Sequence, residues 1–119
     1  MVTELLTLHN QLKINHWQTE SYAEHQALGG TYDALTGLID EFVEVFMGKY
    51  GRVVNKGGFS LDVKNLKEMP SDQLADNYIK FLVEELPSKL DPKKDTDLLN
   101  LRDEMLSSLN KLKYLLTLN

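Results

Sequence analysis

The sequence contains no cysteine. That removes every disulfide framework and every thiolate metal site, and it suits a cytoplasmic location. Only 3 prolines and 7 glycines punctuate the 119 residues, too few for a collagen-like or low-complexity chain. The longest apolar runs are a few residues, Phe81-Leu82-Val83 for example, far short of the ~20 that cross a bilayer. Positive charge is short as well. Thirteen Lys+Arg against 18 Asp+Glu leave a net charge of −5, so no global basic field draws nucleic acid. Lys64, Lys67, Lys89, Lys93 and Lys94 cluster locally, at spacings typical of a solvated surface. Glu4 stands where a secretory signal carries basic residues, and no small-residue cleavage site follows. Gly29-Gly30 and Gly57-Gly58 lack the Gly-Lys-Ser/Thr of a phosphate loop, and no Gly-x-Ser-x-Gly elbow exists.

What is present is helical periodicity in a chain of ordinary globular composition, 42% hydrophobic and 26% charged. Val2, Leu5, Leu6, His9, Leu12 and His16 recur every three or four residues and predict an amphipathic first helix with two histidines on its stripe. Gln18-Thr19-Glu20-Ser21 reads as a polar turn. Leu28, Tyr32, Leu35, Ile39, Phe42 and Phe46 share a face of the second helix. Inside it, Gly29-Gly30 costs roughly 1 kcal/mol per glycine relative to alanine. Ala27 and Leu28 keep the phase of the stripe, which favours a continuous helix; the alternative is a start at Thr31. Asn55-Lys56-Gly57-Gly58 marks a loop. Ser71 or Asp72 is expected to cap a third helix striped by Leu74, Tyr78, Phe81, Leu82 and Leu86, which Pro87 ends or kinks. Asp95 or Thr96 is expected to cap a fourth, striped by Leu98, Leu101, Met105, Leu109, Leu112 and Leu116.

Four amphipathic helices bury their stripes by facing one another. The expectation is therefore an all-α four-helix bundle forming one domain over residues 1–119, with helices at about 2–18, 24–48, 71–86 and 96–117. Two connections are short and one, residues 49–70, is long. A long crossover between helices two and three is the ferritin-like arrangement.

On the second helix, His25, Gly29, Thr36, Asp40 and Glu44 lie along one strip, with Asp33 at its edge. Asp40 and Glu44 form an i, i+4 carboxylate pair that repels by a few tenths of a kcal/mol unless a cation sits between them. Carboxylates with neutral imidazoles suit iron, manganese or zinc. The same pattern also describes a solvated acidic face beside packed core histidines.

The stretch Leu12-Lys13-Ile14-Asn15-His16-Trp17, followed by His25, Tyr32 and Ile39-Asp40-Glu41-Phe42-Val43-Glu44, resembles the Dps family of mini-ferritins over roughly residues 5–48. The resemblance implies a ferroxidase centre across a two-fold interface between subunits. His16 and His25 would be the imidazole ligands from one chain, and Asp40 and Glu44 the carboxylates from its mate. Trp17 would lie beside the site and take up stray oxidising equivalents. Two positions depart from the pattern. Gly29 stands where the family has its first Asp, leaving Asp33, one turn on, as a substitute ligand. His16 and His25 are only nine residues apart, a shorter turn than the family's.

Two functions follow from these residues. One is an iron-binding, ferritin-like homo-oligomer, at least a two-fold dimer, with ferroxidase-type activity. The other is a helical-bundle interaction or structural protein that kept the scaffold and lost the chemistry. Neither involves a membrane or nucleic acid.

Overall fold

The computed structural model describes residues 1–118. Those residues form helices α1 (Val2–Gln18), α2 (Tyr22–Tyr50), α3 (Ser71–Lys80) and α4 (Thr96–Leu115), with no strand among them. α2 has 29 residues, and at about 1.5 Å per residue it accounts for the 42 Å long dimension of the molecule. It is continuous through Gly29-Gly30 and overruns its expected bounds at both ends. Ser21 begins it, its hydroxyl accepting the Glu24 N–H at 3.2 Å. Gly48 does not stop it. Gly51 does, at a φ of 90° that side-chain-bearing residues rarely adopt.

The third helix departs from its expected form at both ends. Its N-cap is Pro70 rather than Ser71 or Asp72; the Ser71 hydroxyl instead accepts from Asn15 Nδ2 at 3.1 Å. Beyond Lys80 the helix widens to a π turn, Phe81–Glu85, and then tightens to a 3₁₀ turn, Leu86–Lys89. The Leu86 N–H reaches back five residues to the Phe81 carbonyl, and Pro87 has no N–H to donate. Leu82 thereby loses its helical donor, and Arg102 Nη1 supplies one at 2.9 Å. Asp95 is the N-cap of α4 but makes no side-chain cap bond there. α4 ends at Leu115, two residues short of expectation, in a turn closed by Thr117 N–H to the Tyr114 carbonyl at 3.0 Å.

The apolar stripes meet in one core. Leu5, Leu8 and Leu12 of α1, Leu28, Leu35 and Phe42 of α2, Leu74 and Leu82 of the third segment, and Leu98, Met105 and Leu109 of α4 are all fully buried. Each such side chain is worth about 1.5–3 kcal/mol of burial. On α1 the core face is rotated from the expected stripe. Leu8 is buried, whereas Leu6, His9 and His16 are half-buried along the seam with α2.

Side-chain contacts give the helix directions. His9 meets Thr36 and His16 meets Gly29, so α1 and α2 are antiparallel. Lys49 at the end of α2 pairs with Asp97 at the start of α4, 2.8 Å away. Asp76 of α3 pairs with Lys113 of α4 at 2.7 Å, and Arg102 reaches Leu82. Thus α1 and α4 point one way and α2 and α3 the other. Each helix packs on two neighbours, leaving α1 diagonal to α4 and α2 diagonal to α3.

Residues 51–70 connect the far ends of α2 and α3 by running along α1. Three amides on α1 hold this segment. Gln11 accepts the Lys64 N–H at 2.8 Å and donates to the Lys64 carbonyl at 2.8 Å, as a neighbouring strand would. Asn15 donates to the Met69 carbonyl at 2.9 Å, and Gln18 accepts the Leu66 N–H at 2.8 Å. Gln11 and Asn15 are themselves buried, so these bonds also satisfy polar groups that are costly to leave unpaired.

Candidate functional site

The turn of residues 19–21 is short, and it brings the last turn of α1 against the first of α2. There His16 and His25 stack, ring centroids 3.8 Å apart and planes inclined by 14°. Each ring is tied to the other's backbone: His16 Nδ1 lies 2.9 Å from the His25 carbonyl, and His25 Nδ1 lies 2.8 Å from the His16 carbonyl. A carbonyl oxygen only accepts, so both Nδ1 atoms carry the proton. Neither Nε2 has a hydrogen-bond partner among the described residues. A backbone carbonyl on one ring nitrogen, with the other left free, is how metal-binding histidines are commonly held.

The pair lines an open cleft of about 470 Å³ with Lys13, Trp17, Tyr32 and Asp33. Lys13 Nζ lies 5.2 Å from the Trp17 ring and 5.3 Å from the Tyr32 ring, a cation between two π faces. Trp17 is 63% exposed, so it stands at the mouth of the cleft. Tyr32 stacks on His9 with centroids 4.5 Å apart. The Thr36 hydroxyl donates to the Tyr32 carbonyl, so its oxygen accepts from His9 Nε2 at 2.8 Å. Burial, and then the charge of Lys13, hold His9 below its ordinary pKa of 6.5. His9 is therefore an uncharged ring at neutral pH.

The other expected ligands lie elsewhere. Asp40 is fifteen residues beyond His25 in a continuous helix, about 22 Å along its axis. Asp40 and Glu44 are both exposed. Neither joins an ion pair among the described residues. Asp40 borders a second, mostly apolar cleft with His9, Leu6 and Val43. One chain therefore brings His16, His25 and Asp33 to a common cleft and keeps Asp40 and Glu44 apart from them.

No group of three or more ligand side chains closes around a metal position among the described residues. The stacking gives a reason for the imidazoles. Their lone pairs lie in the ring planes, and planes inclined by only 14° do not meet within the ~2 Å reach of a metal–nitrogen bond. Each ring can offer one nitrogen to one ion, with the remaining donors supplied from outside the pair. In that sense the donor set fits a transition ion.

Several residues of this end of the molecule escape sequence reasoning. Lys13 and Trp17 are i, i+4 neighbours, a readable helix pair, but the part played by Tyr32 is tertiary. At the opposite end, the buried Asp95 carboxylate accepts the Tyr50 hydroxyl at 2.6 Å and the Asp91 N–H at 2.8 Å, and Lys49 Nζ lies 3.3 Å away. This latch ties α2 to α4.

No helix among the described residues is long and apolar enough to cross a membrane. No curated protein and no solved structure matches the chain. Residues 16–116, from the last turn of α1 through α4, match the model of a family of unknown function, DUF5856, and the chain belongs to that family.

Proposed function

We propose that the protein is a ferritin-like bundle that binds a divalent transition metal, iron in the first place, at a site completed by a second copy. His16 and His25 of one chain each give one nitrogen, to separate ions, and Asp40 and Glu44 come from its mate. The observation that carries the reading is the reciprocal Nδ1–carbonyl lock, which leaves both Nε2 atoms without a hydrogen-bond partner among the described residues, beside an open cleft. The path of the chain supports it as well: antiparallel neighbours, and a connection that covers the length of α1 to start α3 at the far end. Asp40 and Glu44, exposed, in no ion pair among the described residues and unable to reach the histidines of their own chain, suit a ligand pair given to another. Gly29 offers no side-chain carboxylate, so the reading is metal binding ahead of rapid two-iron oxidation.

An anaerobic Fe²⁺ titration followed calorimetrically, and then by absorbance on adding oxygen or peroxide, tests this. Binding of one or two ions per chain by an oligomer is expected, with binding lost in Asp40→Asn while its helical circular dichroism is unchanged. A monomer that takes up no iron at micromolar concentration sinks the proposal. That result would favour the second reading, in which the stacked imidazoles serve only to lock α1 to α2 in a bundle used for interaction. The contact of His16 with Gly29 is the observation on its side.

A further inference from the structure

Gly29 stands where the resemblance to mini-ferritins would place a carboxylate; in three dimensions the space of its missing side chain is occupied. A Cβ at Gly29 would lie 2.9 Å from His16 Cε1 and 3.3 Å from His16 Nδ1. Around Gly30, Gly37 and Gly48 of the same helix a Cβ would meet nothing within 4 Å. The His16 ring thus lies on bare α2 backbone at a single position. That seat lets His16 Nδ1 reach the His25 carbonyl and lets the His25 ring lie over it. An aspartate at position 29 and the His16 ring in its present place exclude each other, so the short turn and the glycine are two halves of one arrangement.

We propose that Gly29 is a positioning residue for the metal site. It seats His16 so that both imidazoles keep Nδ1 on a carbonyl and leave Nε2 free, and it makes the site one for divalent ions that accept imidazole nitrogen, Zn²⁺ among them, over hard oxygen-seeking ions such as Mg²⁺. The ion class rests on the metal-binding reading above; the seat does not. Without the seat, His16 has to turn away from α2. It then loses the bond that fixes its tautomer, and His25 loses the face it packs on.

Imidazole ¹⁵N spectra together with Zn²⁺ titration test the two parts separately. At a pH above the ordinary imidazole range, both rings of the unaltered protein are expected to show the Nδ1–H tautomer, with Zn²⁺ shifting the Nε2 signals and Mg²⁺ at about 1 mM failing to displace it. Gly29→Ala should abolish the Nδ1–H signature of His16 and weaken Zn²⁺ binding by about 10–100-fold. Gly30→Ala should change neither. Because Gly29→Ala strains the α1–α2 contact, it is paired with His16→Ala. On that background the added alanine should cost no further stability or Zn²⁺ affinity, and a double variant that folds where Gly29→Ala does not also supports the seat. A normal His16 spectrum in Gly29→Ala overturns the seat, as does a penalty that persists without the His16 ring. Absence of Zn²⁺ binding by a protein with the expected spectra overturns the ion class and the metal-binding reading together, and displacement by Mg²⁺ overturns the ion class alone.

Discussion

Two adjacent glycines in α2 do opposite things, and nothing in their spelling says so. Gly29 makes room for a ring, while Gly30 and Gly37 leave their faces open. The cost of a helical glycine was legible in the sequence; its return at Gly29 was not, because it depends on a ring arriving from another helix. The histidines themselves were legible as an in-phase pair, but their mutual Nδ1 bonds were not, since a ring-to-carbonyl contact leaves no spacing pattern. The distinction between the glycines is measurable. Gly37→Ala is expected to raise stability by about 0.5–1 kcal/mol in urea unfolding, because alanine removes unfolded-state freedom and meets no neighbour. A loss of stability in that variant would show that Gly37 is covered.

At the scale of elements, stripes of leucine marked four helices, and the described residues form four α-helices. Their ends were harder to read. Pro87 signalled a break in the third segment, but the response to it, a π turn with Arg102 on the stranded Leu82 carbonyl, needs a partner from α4. Asp95 was expected as a helix cap and serves as the α2–α4 latch. The Tyr50 hydroxyl, then the Asp91 N–H, hold its carboxyl below the ordinary value of 3.8. Since the folded protein binds this proton less readily than the unfolded chain, the latch contributes stability above the ordinary carboxylate range. That contribution drains away as the pH falls through it. Asp95→Asn should therefore lower the melting temperature at pH 7, and the gap from the unaltered protein should narrow steadily below about pH 4. A gap that stays constant down to about pH 2 would mean that the charge of Asp95 contributes nothing.

For the whole molecule, the short and long connections in the sequence anticipated an all-helical chain with one extended link. They did not anticipate how that link is held. Gln11 and Asn15 sit among apolar residues of α1, and a hydrophobicity pattern passes over them. The link has two characters. Residues 64–69 are pinned by the α1 amides, whereas Arg52 and Lys56 lie exposed in the stretch before them. Brief trypsin treatment should cleave after Arg52 or Lys56 well before Lys64, leaving two fragments that stay together with undiminished helical circular dichroism. First cleavage at Lys64 would contradict the pinning.

The amide clasp between α1 and this link also bears on the order in which the molecule assembles. Gln11 and Lys64 are 53 positions apart in the chain, whereas the α1–α2 and α3–α4 pairs are each closed by a short connection. Longer loops cost more entropy to close, if only slowly more, so the local hairpins are expected to form first and the link to settle onto a bundle already assembled. A contact made after the rate-limiting step restrains escape from the native state without hastening arrival. Gln11→Ala, at a cost of about 1–3 kcal/mol, should appear in a chevron plot as unfolding accelerated by roughly fivefold to a hundredfold, with the folding limb unmoved. The clasp then acts as a brake on unfolding: it sets how long each molecule stays folded and leaves the speed of folding to the helices.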